Sequence, residues 1–159
     1  MGPQLITSLH YRGLFFSGML AGIEAGIHYG VGKPVTDLTE KTQIRLRQAL
    51  VLRLRVFVPA FFAPAAGIAM ALAIIDGGTP GTWLRWAGLL SLLIWVSIRI
   101  VRTVPLNSVT LEWDPLAPPG NWRALVAASE RFHIVGVWAA GAAFALFLAA
   151  LAQREVIPT

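Results

Sequence analysis

Residues 131–152 read RFHIVGVWAAGAAFALFLAALA, an unbroken apolar run of 22 residues whose one permanent charge is Arg131 at its head. About 20 helical residues cross a hydrocarbon layer of ~30 Å, so this run is long enough to do so. Three further stretches have the same character, at 13–32, 51–75 and 83–101. The composition agrees: of 159 residues, 56% are hydrophobic and only 13% charged, with a mean hydropathy of +0.66. That combination describes an integral membrane protein rather than a soluble domain. The expected fold is all-α, one domain over 1–159, built as a four-helix transmembrane bundle. The first span carries Glu24 and His28 and is followed by no cleavage-site pattern, so it is expected to be retained.

The connections carry their own signals. Pro34 is expected to end the first helix, and Asp37-Leu38-Thr39-Glu40 has the spacing of a capping box opening a new one. Leu38, Ile44, Leu46, Leu50 and Leu52 alternate with polar residues. A short amphipathic helix between spans 1 and 2 follows, bending into a second span that Pro59 and Pro64 should kink. Asp76 to Gly81 reads as a tight turn joining spans two and three as a hairpin. Between spans three and four, Pro105 to Trp122 reads as an ordered loop with a short helix around 106–112, anchored by Leu106, Val109, Leu111 and Trp113.

Ten of the thirteen basic residues flank the 1–2 and 3–4 connections, and three lie on the side of the termini. The positive-inside rule places the long connections in the cytoplasm and both termini outside, in a multi-pass protein of a bacterial inner membrane. Because the basic residues flank spans, the net charge of +5 reads as an orientation signal and not as a nucleic-acid interface. With no cysteine, disulfides, thiolate-ligated haem and Cys-x-x-Cys redox chemistry are excluded.

Two ionisable pairs stand out against this apolar background. Glu24 with His28 and Glu130 with His133 each have the spacing that places both side chains on one helix face. A charge at mid-span costs roughly 2.5–3.5 kcal/mol on insertion scales, so such residues mark function or a partner. Topology puts all four at the same end, with Asn107, Arg99 and Arg102 closing span three there and Arg53 and Arg55 opening span two. The opposite end holds His10, Tyr11, Arg12, Asp76 and Arg154, which read as ordinary boundary residues. Two readings compete. In one, the glutamates pair with Arg53, Arg99 or Arg102 as structural ion pairs and the histidines bond to backbone. In the other, the groups line a pocket that admits an amphipathic substrate from the membrane lipid. There His133 would act as base with Glu130 orienting it. An alternative within that reading is a single iron or copper ion held by Glu24, His28, Glu130 and His133. Gly18, Gly22, Gly26 and Gly30 form a groove on span one, which packs within the chain or meets a second copy or a partner subunit.

The second connection supplies a resemblance. Val104-Pro105-Leu106-Asn107, Trp113-Asp114-Pro115, Pro118-Pro119, Trp122 and Glu130-x-x-His133 together resemble the DUF1772 family, small four-span membrane proteins that include anthrone oxygenases. The match is clear over about 100–150, and Ala21-Gly22 is also similar. The chain reads Ala127, Ser129 and Gly136 where family members often carry Arg-x-Trp before the Glu and an Arg after the His. The resemblance implies a monooxygenase that inserts oxygen into an activated phenolic ring carbon without an organic cofactor, with Asn107 and His133 at the best-matching positions.

The expected function is therefore an oxygenase-like enzyme acting on a hydrophobic phenolic or polycyclic substrate. His133, Glu130, Asn107, Arg99 and Arg102 are its catalytic candidates, and Glu24, His28 and Trp113 its substrate-binding ones. A non-catalytic subunit of a larger membrane complex is the alternative. A proton-linked carrier fits less well, because the carboxylates cluster at one end and no inverted repeat is visible.

Overall fold

The computed structural model describes residues 2–156, and all regular structure among them is helical. Helix α1 (Pro3–Ala25) runs into a π-helical turn (Gly26–Val31) and then α2 (Gly32–Thr36). Helix α3 spans Glu40–Ile75. Helix α4 (Thr82–Ile98) passes through a second π turn (Arg99–Thr103) into α5 (Val104–Leu111), and α6 covers Trp122–Val156. Three helical stretches are long and apolar enough to cross a membrane: Glu40–Ile75, Thr82–Leu111 and Trp122–Arg154. The expected span at 13–32 falls on α1 and its π turn, where Glu24, His28 and the glycines dilute the apolar character. Large apolar side chains such as Val56, Ile74, Trp83, Leu93 and Trp138 point outward, as a surface in contact with lipid requires.

Four helices share one core. Leu20 of α1, Val58 and Ala69 of α3, Leu92 and Trp95 of α4, and Ala140, Ala143 and Phe147 of α6 pack together. The closest approach is α4 against α6, and it depends on small residues. A Cβ at Gly88 would fall 2.3 Å from the Phe147 ring. Helix α1 packs on α3 and α6, and α4 on the same two helices from the other side. A smaller core of Ile44, Trp113 and Trp122 closes the end where α5 turns into α6. The Gln48 amide clamps it by donating to the carbonyls of Thr110 (3.1 Å) and Trp113 (2.9 Å).

Both π turns have a proline just beyond them. A proline ring lacks the N–H and crowds the carbonyl four residues earlier. For Pro34 that residue is Gly30 and for Pro105 it is Val101, and each lies in a π turn. There the helix widens to five-residue bonds, Gly32 N–H to Ile27 O and Val104 N–H to Arg99 O, and continues past the ring. Pro34 therefore does not end the first helix, which proceeds to Thr36. Likewise, span three does not stop at 101 but runs on to Leu111, leaving only 112–121 as loop.

The region before span two also differs from expectation. Among the described residues no separate amphipathic helix precedes span two, because α3 is continuous over 36 residues from Glu40. Residues 41–50 are mostly good helix formers with no breaker among them, so nothing interrupts the rod. Its N-cap is Thr39, whose hydroxyl meets Thr42 Oγ1 at 2.9 Å instead of a backbone N–H. Glu40 accepts from the Trp122 indole N–H rather than closing a capping box. The amide of Gln43 secures the α2–α3 corner by donating to Thr36 O and Leu38 O.

The Asp76–Gly81 turn joins α3 to α4 as expected, with Gly78 and Gly81 in the left-handed region at φ +87° and +86°. Space separates the two glycines. A Cβ at Gly78 meets nothing, whereas one at Gly81 would fall 2.7 Å from the Ala150 carbonyl oxygen. Gly78→Ala should cost about 1 kcal/mol, and Gly81→Ala about 3 kcal/mol from strain plus clash. Thermal unfolding in detergent checks the order, and equal losses would show that Gly81 is not in contact with α6.

Candidate functional site

On α1, residues 10, 17, 20 and 24 recur every three to seven positions along one face, and all four are buried. Glu24, like Leu20, has 0% of its surface exposed. A carboxylate so placed needs a cation. The Arg99 guanidinium, at the start of the second π turn, donates to Glu24 Oε2. His133 Nε2 lies 3.7 Å from the same oxygen and 3.4 Å from the Glu24 backbone carbonyl. The His28 ring stacks on His133, with centroids 5.7 Å apart and planes inclined by 22°. His28 Nδ1 lies 3.6 Å from Glu130 Oε2, and Arg47 donates to Glu130 Oε1 at 3.2 Å. The result is a continuous chain of six groups, Arg99–Glu24–His133–His28–Glu130–Arg47. Two guanidiniums balance two carboxylates, so the chain is neutral when both imidazoles are neutral.

Gly136 lies next to this packing, with space for a methyl group at ordinary contact distance. A Cβ there would stand 3.9 Å from Glu24 Oε2 and 3.8 Å from Trp95 Nε1. The second carboxylate oxygen, Glu24 Oε1, is buried without a hydrogen-bond partner among the described residues. Such a buried acceptor forfeits part of its hydration, and the Arg99 pair must offset it.

Beside the chain lies a cavity of about 580 Å³, within the size range of small-molecule sites. It runs between α3 and the α4–α5 rod, with the head of α6 closing it. Leu50, Leu54, Val58, Phe62, Trp95 and Ile100 supply apolar walls. The polar lining comes from Arg47, Arg55, Arg99, Thr103, Asn107, Glu130 and His133. Phe62 and Trp95 stack at 4.9 Å where α3 and α4 converge.

The expected site residues therefore separate into three groups. Asn107, Arg99, Glu130 and His133 line the cavity. Glu24 and His28 are absent from its lining and stand behind His133 and Glu130, where they act on those groups rather than on an occupant. Arg102 and Trp113 lie outside the cavity lining. Arg102 is exposed and lies over the Phe132 ring at 5.4 Å, away from the cavity. Trp113 is buried edge-to-face against Trp122 in the smaller core.

The four expected metal ligands are not brought around one point. Among the described residues no three His, Asp or Glu side chains are gathered so as to hold one ion. Arg99 and Arg47 each meet one oxygen of the Glu24 and Glu130 carboxylates. The glycine groove divides as well: Gly18 faces the Phe144 ring within the chain, while Gly22, Gly26 and Gly30 have open space.

Sequence reasoning missed Arg47, which pairs with Glu130 in place of the expected Arg53, Arg99 or Arg102. It also missed the opposite end. Asp76 is buried there and lies within 3.0 Å of Arg85, 3.3 Å of His10 and 3.7 Å of Arg154. These are not boundary residues but an ion cluster joining α1, α4 and α6 at the end of α3. The available signal was Arg85 inside an apolar helix, which calls for a carboxylate.

No family model, curated protein or solved structure matches the chain.

The pairing makes an asymmetric forecast for stability. Arg99→Met leaves Glu24 buried and unpaired, which should cost about 3–5 kcal/mol. Glu24→Gln leaves Arg99 beside a cavity, where water can reach it, and should cost less. The double variant should recover stability relative to Arg99→Met alone, because the orphaned charge is gone. Unfolding midpoints in detergent read the cycle, and strict additivity of the two losses would contradict the pairing.

Proposed function

We propose that the chain is a four-span membrane enzyme of oxygenase type, with its cavity opening at the cytoplasmic end and both termini outside. The fourth span is α1 with its π turn, whose Tyr11, Phe15 and Met19 turn outward as lipid-facing residues do. The Lys and Arg excess beside the long connections supports the orientation. The observation that carries the functional reading is His133. It lines an apolar cavity and is backed by a buried carboxylate, the arrangement that orients an imidazole as a base.

A hydrophobic phenolic substrate seated in the cavity presents an acidic CH₂ to His133, which takes the proton. The Asn107 amide donates to the ring oxygen as negative charge builds there. Dioxygen, the oxidant, adds to the resulting carbanion, and loss of water leaves a carbonyl. Overall CH₂ plus O₂ gives C=O plus H₂O, with no organic cofactor. Glu24 and His28 hold His133 in place, and Glu130 is held by Arg47 near its mouth. The likeness of residues 100–150 to DUF1772 proteins supports the same reaction class.

A second reading is a non-catalytic subunit in which the ion pairs are structural. The direct Arg99–Glu24 and Arg47–Glu130 contacts favour it, as does the open face at Gly22, Gly26 and Gly30. Replacing His133 separates the two. With a hydroxylated anthracenone as substrate, His133→Gln should lower oxygen consumption and quinone formation at least 100-fold while the protein remains folded in detergent. Unchanged turnover removes the base assignment, and absence of turnover in the unaltered protein favours the structural subunit.

A further inference from the structure

We infer that the face of α3 carrying Lys41, Arg45 and Arg53 binds an anionic phospholipid, the headgroup on the three cations and the acyl chains along Val56 and the apolar residues beyond it. The inference goes beyond the catalytic reading and does not rest on it. It requires that α3 cross a membrane, for which that helix is long and apolar enough.

Helical periodicity assembles the face. At about 100° per residue, Lys41, Arg45, Ala49, Arg53, Val56 and Ala60 fall within about 120° of one another. All six are exposed. Among the described residues no carboxylate lies within ion-pair reach of Lys41, Arg45 or Arg53. Arg47, on another side of the helix, is paired with Glu130. The other helices offer less at this end. On α6, Arg123 is paired with Glu40 and Arg131 is left alone. On the α4–α5 rod, Arg99 is paired with Glu24 and Arg102 lies over the Phe132 ring. Three unpaired cations on one face are therefore the densest exposed positive charge among the described residues here.

Depth matches a lipid. Arg45 and Arg53 stand about 12 Å apart along the axis, and Arg53 is two residues inside the apolar stretch that starts at 51. Side chains on a helix lean toward its N-terminus, so Arg53 leans toward Ala49 and Arg45. The short Ala49 side chain leaves room for a phosphate between the two arginines. Below them the same face is apolar and outward, with Val56 69% exposed and Ile74 65% exposed. A single partner covers both parts when it is charged at one end and apolar along its length. An anionic phospholipid has that form, and each Lys or Arg at the headgroup level adds to its attraction. A soluble acidic segment would leave Val56 and Ala60 bare.

Phosphatidylglycerol and phosphatidylcholine with identical chains differ in net charge, so their binding to the full-length protein in neutral detergent tests this. By native mass spectrometry phosphatidylglycerol should bind about tenfold more tightly. Arg45→Gln combined with Arg53→Gln should bring the two lipids within about threefold, whereas Arg131→Gln should keep the full preference. Equal binding to the unaltered protein, survival of the preference in the double variant, or its loss in Arg131→Gln overturns the inference. Excess inorganic phosphate at constant ionic strength should leave the preference intact; if it abolishes the preference, the face holds a bare anion and the inference falls. Placement has a separate readout. The chain has no cysteine, so Val56→Cys and Val101→Cys each accept one fluorophore at an exposed position. Phosphatidylglycerol brominated on its chains should quench the label at position 56 at lower lipid concentration than the label at position 101. Equal quenching puts the lipid elsewhere and overturns the inference too.

Discussion

A carboxylate shut away from water at the centre of an apolar helical assembly has to be matched by a cation, and here Glu24 has Arg99. The pair joins α1 to the end of α4, two helices that otherwise make little contact. Its position sets much of what surrounds it. His133 bonds to the Glu24 backbone, so the head of α6 is held against α1. His28 stacks on His133 and approaches Glu130, whose other oxygen ties α3 through Arg47. Four helices are thus linked at one end of the molecule by two ion pairs with two stacked imidazoles between them, and the cavity lies beside the link.

The opposite end solves the same problem with different residues. Asp76 caps α3 and gathers Arg85, His10 and Arg154 from the three other long helices. The Arg85 side chain also reaches the Asp76 carbonyl and the Thr79 hydroxyl, so the α3–α4 turn is held as well as the helices. Between the two polar ends the packing is apolar and tight, as Gly88 against Phe147 shows. The cavity is confined to the end that carries the π turns. Arg99 itself keeps the regular four-residue bond to Trp95, and the helix widens only beyond it, where Val104 N–H reaches Arg99 O.

How much of this was legible in the sequence follows the range of the interactions involved. The helical character and three membrane-length helices were readable from hydropathy, because burial in lipid imposes a long apolar run on each one. The Glu24/His28 and Glu130/His133 couples were readable from spacing, and they converge because helix ends joined by short connections lie on the same side. Arg47 was hidden because its role depends on α3 starting at Glu40 and running unbroken, a choice that local propensity favours but the alternating pattern of 38–52 obscured. The π turns were hidden because a proline at the end of an apolar run usually signals a stop. Arg102 and Trp113 stand apart from the cavity, which spacing alone did not foretell. Arg99 and Arg102 stand three residues apart, a spacing that shares a face in an α-helix, but both lie in the second π turn, and Arg102 goes to Phe132 while Arg99 turns inward to Glu24.

The central claim is that Glu24 and Arg99 form a direct ion pair inside the assembled helices. Solid-state NMR on protein in lipid bilayers, labelled with ¹³C at the Glu24 side-chain carboxyl and ¹⁵N at the Arg99 guanidinium, measures that separation. The account predicts the nitrogen-to-oxygen approach of an ion pair, within about 4 Å, and therefore strong dipolar dephasing between the labels. No measurable dephasing would place Arg99 elsewhere, leave the buried carboxylate without its cation, and contradict the arrangement on which the site depends.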